Sequence, residues 1–178
     1  MKLDTPGSHL NVLVQQTRHH HISLSSMADI KANMLLTISS VVTTLCVSHL
    51  SNLTYRPALS VLMFFCLVTV FLACYVVMPN LRMAKRPDNY FELDNPKFNP
   101  LFFGDFHTMK FEKYLNIMEQ VLDDASLCYE VELREIYGLG QFLVHKKYRI
   151  LRYGYLSFLT GFGSATVILI ATLMAPTL

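Results

Sequence analysis

The run Pro57 to Met78, PALSVLMFFCLVTVFLACYVVM, holds no Asp, Glu, Lys or Arg, and it is long enough to cross a bilayer as one helix. Pro57 suits a first helical turn, where its missing N–H leaves no hydrogen bond unmade. Pro79-Asn80 then ends the run. Working outward, Tyr155 to Met174 (YLSFLTGFGSATVILIATLM) has the same character. Ala32 to Leu50 (ANMLLTISSVVTTLCVSHL) is more polar, with Thr37, Ser39, Ser40, Thr43, Thr44 and Ser48. Hydroxyls can return a hydrogen bond to their own helix backbone, so they are tolerated in lipid.

The charge distribution supports all three spans. Charged residues are 16% of the 178, below the roughly 25% of an average soluble domain. None falls in 32–55, 57–81 or 153–178. The expected fold is therefore all-α: an integral membrane protein with three transmembrane helices, its long helices extending into a cytoplasmic helical region. The expected divisions are an N-terminal arm over 1–31, a transmembrane hairpin over 32–78, a cytoplasmic region over 79–152 and a third span over 153–178. Met1 to Lys31 lacks an apolar core of signal-peptide type.

Positive residues set the orientation. Lys2, Arg18 and Lys31 precede span one, Arg56 alone lies in the first link, eleven Lys or Arg lie between spans two and three, and none follows span three. The N-terminus and residues 79–152 are thus expected on the cytoplasmic side of the cell inner membrane, with the C-terminus outside.

Pro87, Pro96 and Pro100 prevent a continuous helix before Phe106. Thr108 then reads as a helix N-cap, followed by a stripe of Phe111, Tyr114, Leu115, Met118, Val121 and Leu122. Asp123-Asp124 suit the start of a further helix that runs from about Ser126 through Arg152 into span three. Gly138 and Gly140 suggest a close helix contact there. His9 to Lys31 has no proline and can extend span one backwards. The four cysteines show no disulfide or CxxC spacing and read as buried free thiols.

Candidate site residues follow from position. Thr37, Ser40, Thr44, Ser48 and Ser51 recur at helical spacing and would line a passage or pack against another helix. Asp29, Lys31 and Asn33 stand at the entrance to span one, as a membrane-boundary patch or as a pore mouth and subunit contact. Arg18, His19, His20 and His21 form a polar cluster. Consecutive histidines point different ways round a helix, so a solvated or subunit-facing role outweighs a metal site. Lys146, Lys147, Arg149 and Arg152 form a basic belt suited to anionic headgroups. Glu130, Glu132 and Glu135 with Arg134 read as a solvated face. Ser157, Gly161 and Ala165 form a small-residue series for helix packing. No GxSxG, P-loop or HExxH motif occurs. No catalytic residue, metal or cofactor is expected, and the protein is expected not to be an enzyme.

Three segments resemble a family of prokaryotic antiviral membrane effectors. The first is Arg18 to Ile38, with His21-Ile22-Ser23-Leu24 and Ala28-Asp29-Ile30-Lys31-Ala32. The second is Asn99 to Tyr114. The third pairs Glu135-Ile136-Tyr137 with Lys147 to Arg152. The family includes Pycsar (pyrimidine cyclic nucleotide) transmembrane effectors, and the chain is also similar to the small membrane accessory proteins of type VI-B CRISPR loci. A chain this short leaves no room for a cyclic-nucleotide-binding domain, which favours the accessory branch. The resemblance implies a homo-oligomeric pore that depolarises the infected cell, with an RNA-guided RNase as functional partner. It also implies a divergent HEPN-like fold. HEPN RNases use Arg-x4–6-His, which no Arg here satisfies, so RNase activity is not expected from that motif; a membrane-anchored HEPN-like RNase or nucleic-acid-binding adaptor using the cytoplasmic helices is the alternative reading. Reporter fusions at Leu178 should read as periplasmic and fusions near Asn95 as cytoplasmic; a cytoplasmic C-terminus would refute the assigned topology.

Overall fold

In a computed structural model, residues 7–79 and 87–175 are described. Lys2, Asn80 and Leu178, named above, and Arg82, Lys85 and Arg86, among the eleven basic residues between spans two and three, lie outside them. The described chain contains helices and no strand. In order they are α1 (Ser8–His49), α2 (Arg56–Val77), a 3-10 turn (Asp88–Phe91), α3 (Phe103–Phe106), α4 (Phe111–Asp123), α5 (Ala125–Phe142), a π-helical segment (Leu143–Tyr148) and α6 (Arg149–Met174). Three helices are long and apolar enough to cross a membrane: α1, α2 and the continuous run Ala125–Met174. The backward extension of span one and the breaker-free entry into span three are both present.

The chain divides into two compact units: Met1–Ser23 with Pro79–Phe142, and Leu24–Met78 with Leu143–Leu178. In the second unit, α2 lies along α6. Span two is apolar all round, so its sequence favours no face, and small residues on α6 choose the contact. A Cβ on Gly161 would sit 2.3 Å from the Phe65 Cβ, a distance real atoms do not tolerate. Ser157 donates to the Phe65 carbonyl at 3.3 Å, and Ala165 is buried. The expected small-residue series is therefore a packing face. Gly154 extends it, since a Cβ there would meet a Leu35 methyl at 3.1 Å. On α1 the packed face is Ala28, Ala32, Leu35, Ser39 and Cys46, all buried. Ala28 and Ala32 join Val76 and Leu151 in one cluster.

The first unit has its own core, in which Phe91, Phe98 and Ile117 pack with Tyr90, Leu93 and Met109. Asp105 is buried and accepts from the Asn99 N–H and the Tyr90 hydroxyl. Those bonds hold the proline-rich stretch in place without a long helix.

Several expectations need correction. Thr108 is not an N-cap: α3 closes with a turn in which the Met109 N–H donates to Phe106, and Lys110 occupies the cap of α4. The α4 stripe is half right. Val121 is buried and Tyr114 and Met118 are half-buried, whereas Phe111, Leu115 and Leu122 are exposed and Ile117, outside the stripe, is buried, because the core meets the helix one position round from the expected centre. Asp124 does cap α5, accepting from the Ser126 N–H at 2.8 Å, while Asp123 ends α4. Gly138 has nothing near its Cβ position, so only Gly140 makes a contact, with His21. Cys46 and Cys66 are buried, but Cys74 is exposed and Cys128 half-buried.

Alanine is favoured over glycine by about 1 kcal/mol in a helix interior, whereas overpacking a tight contact costs about 1–3 kcal/mol. Gly161→Ala should therefore lower the unfolding temperature in detergent. Gly163→Ala, where nothing lies within 4 Å, should leave it unchanged or raise it. Equal effects at the two positions would refute the packing assignment.

Candidate functional site

The second unit holds a charged clasp just before its charge-free helices begin. Lys147 Nζ lies 2.6 Å from both carboxylate oxygens of Asp29 and 3.5 Å from the Ser25 carbonyl. Lys147 is 8% exposed. One residue on, the Tyr148 hydroxyl donates to the Leu24 carbonyl at 3.1 Å. Both donors belong to the π-helical segment. A π turn holds more residues than an α turn, and such segments recur where a helix must re-aim side chains for function.

This geometry corrects two site assignments. Lys147 leaves the basic belt, because its charge is spent on Asp29. Asp29 in turn leaves the expected mouth patch: it faces Lys147, while Lys31 and Asn33 are exposed.

On α1 the hydroxyl stripe turns away from the packed face. Thr37, Ser40, Thr44 and Ser48 are all exposed. Thr37, Thr44 and Ser48 donate to the carbonyls of Asn33, Ser40 and Thr44, at 2.9, 3.0 and 3.2 Å. Each hydroxyl thereby satisfies its proton internally and keeps acceptor lone pairs outward. Asn33 and Thr37 share a shallow concave strip with Ile30, Met34 and Ile38. Ser51 does not belong to the stripe, because α1 ends at His49 and Ser51 sits in the turn beyond. Ser39 and Thr43 point elsewhere: Ser39 is fully buried with an unpartnered hydroxyl, and Thr43 donates to its carbonyl. Thr69 on span two is also fully buried, donating to the Phe65 carbonyl at 2.8 Å and lying 3.5 Å from that of Gly154.

The histidine run divides as its spacing requires. His19 and His20 are exposed and line a groove with Gln15, Gln16 and Ser23. His21 turns inward to Gly140, with its Nδ1 buried and unpartnered. Among the described residues no cluster of metal-binding type occurs.

Arg18 pairs at 2.9 Å with Glu135, whose side chain is 11% exposed. Burial pushes the Glu135 carboxyl above its ordinary range, and Arg18 only partly offsets this. Arg134 donates to the carbonyls of Leu93, Asn95 and Phe98 and pairs with Glu130. Of the expected solvated face of Glu130, Glu132, Glu135 and Arg134, Arg134 and Glu135 thus belong to a structural network, while Glu130 stays half exposed. That network ties α5 to the proline-rich stretch and to the start of α1. Sequence reasoning missed it because none of these partners except Glu130 is near in sequence.

A family model for the Pycsar effector protein domain matches residues 12–175. The chain belongs to that family. No curated protein and no solved structure matches it. The match takes in all three apolar helices of this Pycsar effector chain, the Asp29–Lys147 clasp and the α1 stripe. It places the chain among antiviral membrane effectors.

Removing one member of a buried ion pair leaves the other charge unpaired, at a cost of about 3–5 kcal/mol when both are deeply buried. The partial exposure of Asp29 reduces that here. Lys147→Met and Asp29→Asn should each destabilise this effector chain, and the double variant should recover part of the loss. A strictly additive double-mutant cycle, read by thermal unfolding, would show that the pair is not coupled.

Proposed function

We propose that this chain is a Pycsar-type effector that assembles as a homo-oligomer in the cell inner membrane, N-terminus inside, and opens an ion-conducting passage lined by α1. The passage depolarises the infected cell, and no chemical step is catalysed. The family match supports a pyrimidine cyclic nucleotide trigger over the RNA-guided RNase partner expected from sequence. The accessory branch had rested on chain length, which says nothing of what lies beyond these residues.

The single observation that carries the reading is the two-faced character of α1. One face, from Ala28 to Cys46, is buried on its own unit. The face bearing Thr37, Ser40, Thr44 and Ser48 is exposed. Three packed helices enclose no lumen, whereas several copies arranged about an axis can do so, and closed rings are the common solution for identical subunits. Hydroxyl oxygens with outward lone pairs can replace part of an ion's water shell as it passes. Asn33 stands at the inner end of this face.

Thr44→Leu and Ser40→Leu should reduce ion flux in cells by about tenfold or more, as expected when a narrow polar constriction is made apolar and dewets, with assembly unchanged. Thr69 is unsuitable as the span-two control, since a leucine there would disturb the contact with α6. Cys74→Leu, on the exposed side of α2, should leave flux unchanged. Depolarisation that survives both α1 substitutions would overturn the proposal.

A further inference from the structure

The cluster of Ala28, Ala32, Val76 and Leu151, with Tyr148 and Val77 against it, fixes which parts of α1, α2 and α6 share one level in the second unit. The charged groups at that level are unequal. The carboxylate there, Asp29, is neutralised by Lys147. Lys31, one residue before Ala32, is exposed, as are Arg149 and Arg152 on either side of Leu151. Among the described residues none of these three cations has an ion-pair partner. Two tyrosines at the same level are half exposed, Tyr75 beside Val76 and Tyr153 beside Arg152. The charge-free part of α1 begins at Ala32 and that of α6 at Tyr153.

We propose that this level is a binding band for anionic lipid headgroups, with Lys31, Arg149 and Arg152 as the phosphate-binding groups. Long basic side chains extend along an apolar surface to place their charge at the headgroups. Tyrosines at the same depth hold the rings where lipid meets water. The clasp is what makes the band uniformly cationic. With its charge cancelled by Lys147, Asp29 offers no repulsion to a phosphate, although it lies at the same level. A guanidinium can take two phosphate oxygens at once, so Arg149 and Arg152 bind more strongly than Lys31. The proposal concerns lipid binding only and stands whether or not the chain conducts ions.

The full-length protein, reconstituted in phosphatidylcholine, can be tested with spin-labelled phosphatidylglycerol against spin-labelled phosphatidylcholine. Electron paramagnetic resonance then gives the relative association of each lipid with the protein. Wild type should prefer phosphatidylglycerol. Arg149→Gln and Arg152→Gln should each reduce that preference by about fivefold, the order of one basic residue's attraction to an anionic surface. The triple variant Lys31→Gln, Arg149→Gln, Arg152→Gln should abolish it. Arg149→Lys with Arg152→Lys should keep a weakened preference, and Arg56→Gln, at the other end of α2, should leave it intact. A wild type without preference, a preference that survives the triple Gln variant, or equal loss in Arg56→Gln would overturn the assignment. Displacement of the labelled lipid by excess inorganic phosphate would also overturn it, by making the site one for free phosphate.

Discussion

Hydrocarbon offers no hydrogen-bond partners, and the architecture of this chain follows from that. Every backbone polar group placed in a span must be satisfied from within the protein, and most span hydroxyls follow suit, Ser39 being an exception among the described residues. Thr37, Thr44, Ser48 and Thr69 therefore donate to the carbonyl four residues back. With lipid as apolar as the helices, burying apolar surface gains little, and close approach of backbones has to hold the helices together. The contact of Gly161 with Phe65 and of Gly154 with Leu35 supplies that approach. The clasp of Lys147 and Asp29 obeys the same requirement at the point where the charge-free segments begin. A buried ammonium there is tolerable only because two carboxylate oxygens and a carbonyl surround it.

Much of this was legible in the sequence, for physical reasons. Charges are so costly in lipid that their absence marks a span directly, which is why all three apolar helices could be placed. The lack of proline between His9 and Lys31 gave the length of α1, and small residues at 157, 161 and 165 gave the α6 face. Other features were hidden. Periodicity cannot orient a helix that is apolar all round, so the buried position of Thr69 could not be read. Lys147 stands among other basic residues and looked like one of a belt. Only the fold, aided by a π turn, brings it to a carboxylate 118 positions away. Arg134 and Glu135 were misread as solvated for the same reason, since their partners lie on distant segments. Within α4 the periodicity was right but the phase was wrong, because exposed Phe111 and Leu122 are as apolar as buried Ile117.

The functional features lie on opposite sides of α1. Alanines, Ser39 and Cys46 bind one side to the rest of the second unit. The other side carries exposed hydroxyls, of which Thr37, Thr44 and Ser48 donate to their own helix. In the proposed ring of copies that face would turn toward water. Membership of the Pycsar effector family places the chain among antiviral membrane effectors, the setting in which the proposed passage would act.

The most direct test of that account is the membrane potential of vesicles containing the purified chain and no other protein. A potassium gradient and a voltage-sensitive dye report it, with and without a pyrimidine cyclic nucleotide. The account expects the potential to collapse, with a dependence on chain-to-lipid ratio steeper than first order, because several copies must meet to make one passage. Chains that insert and associate at high density yet leave the potential intact would contradict it.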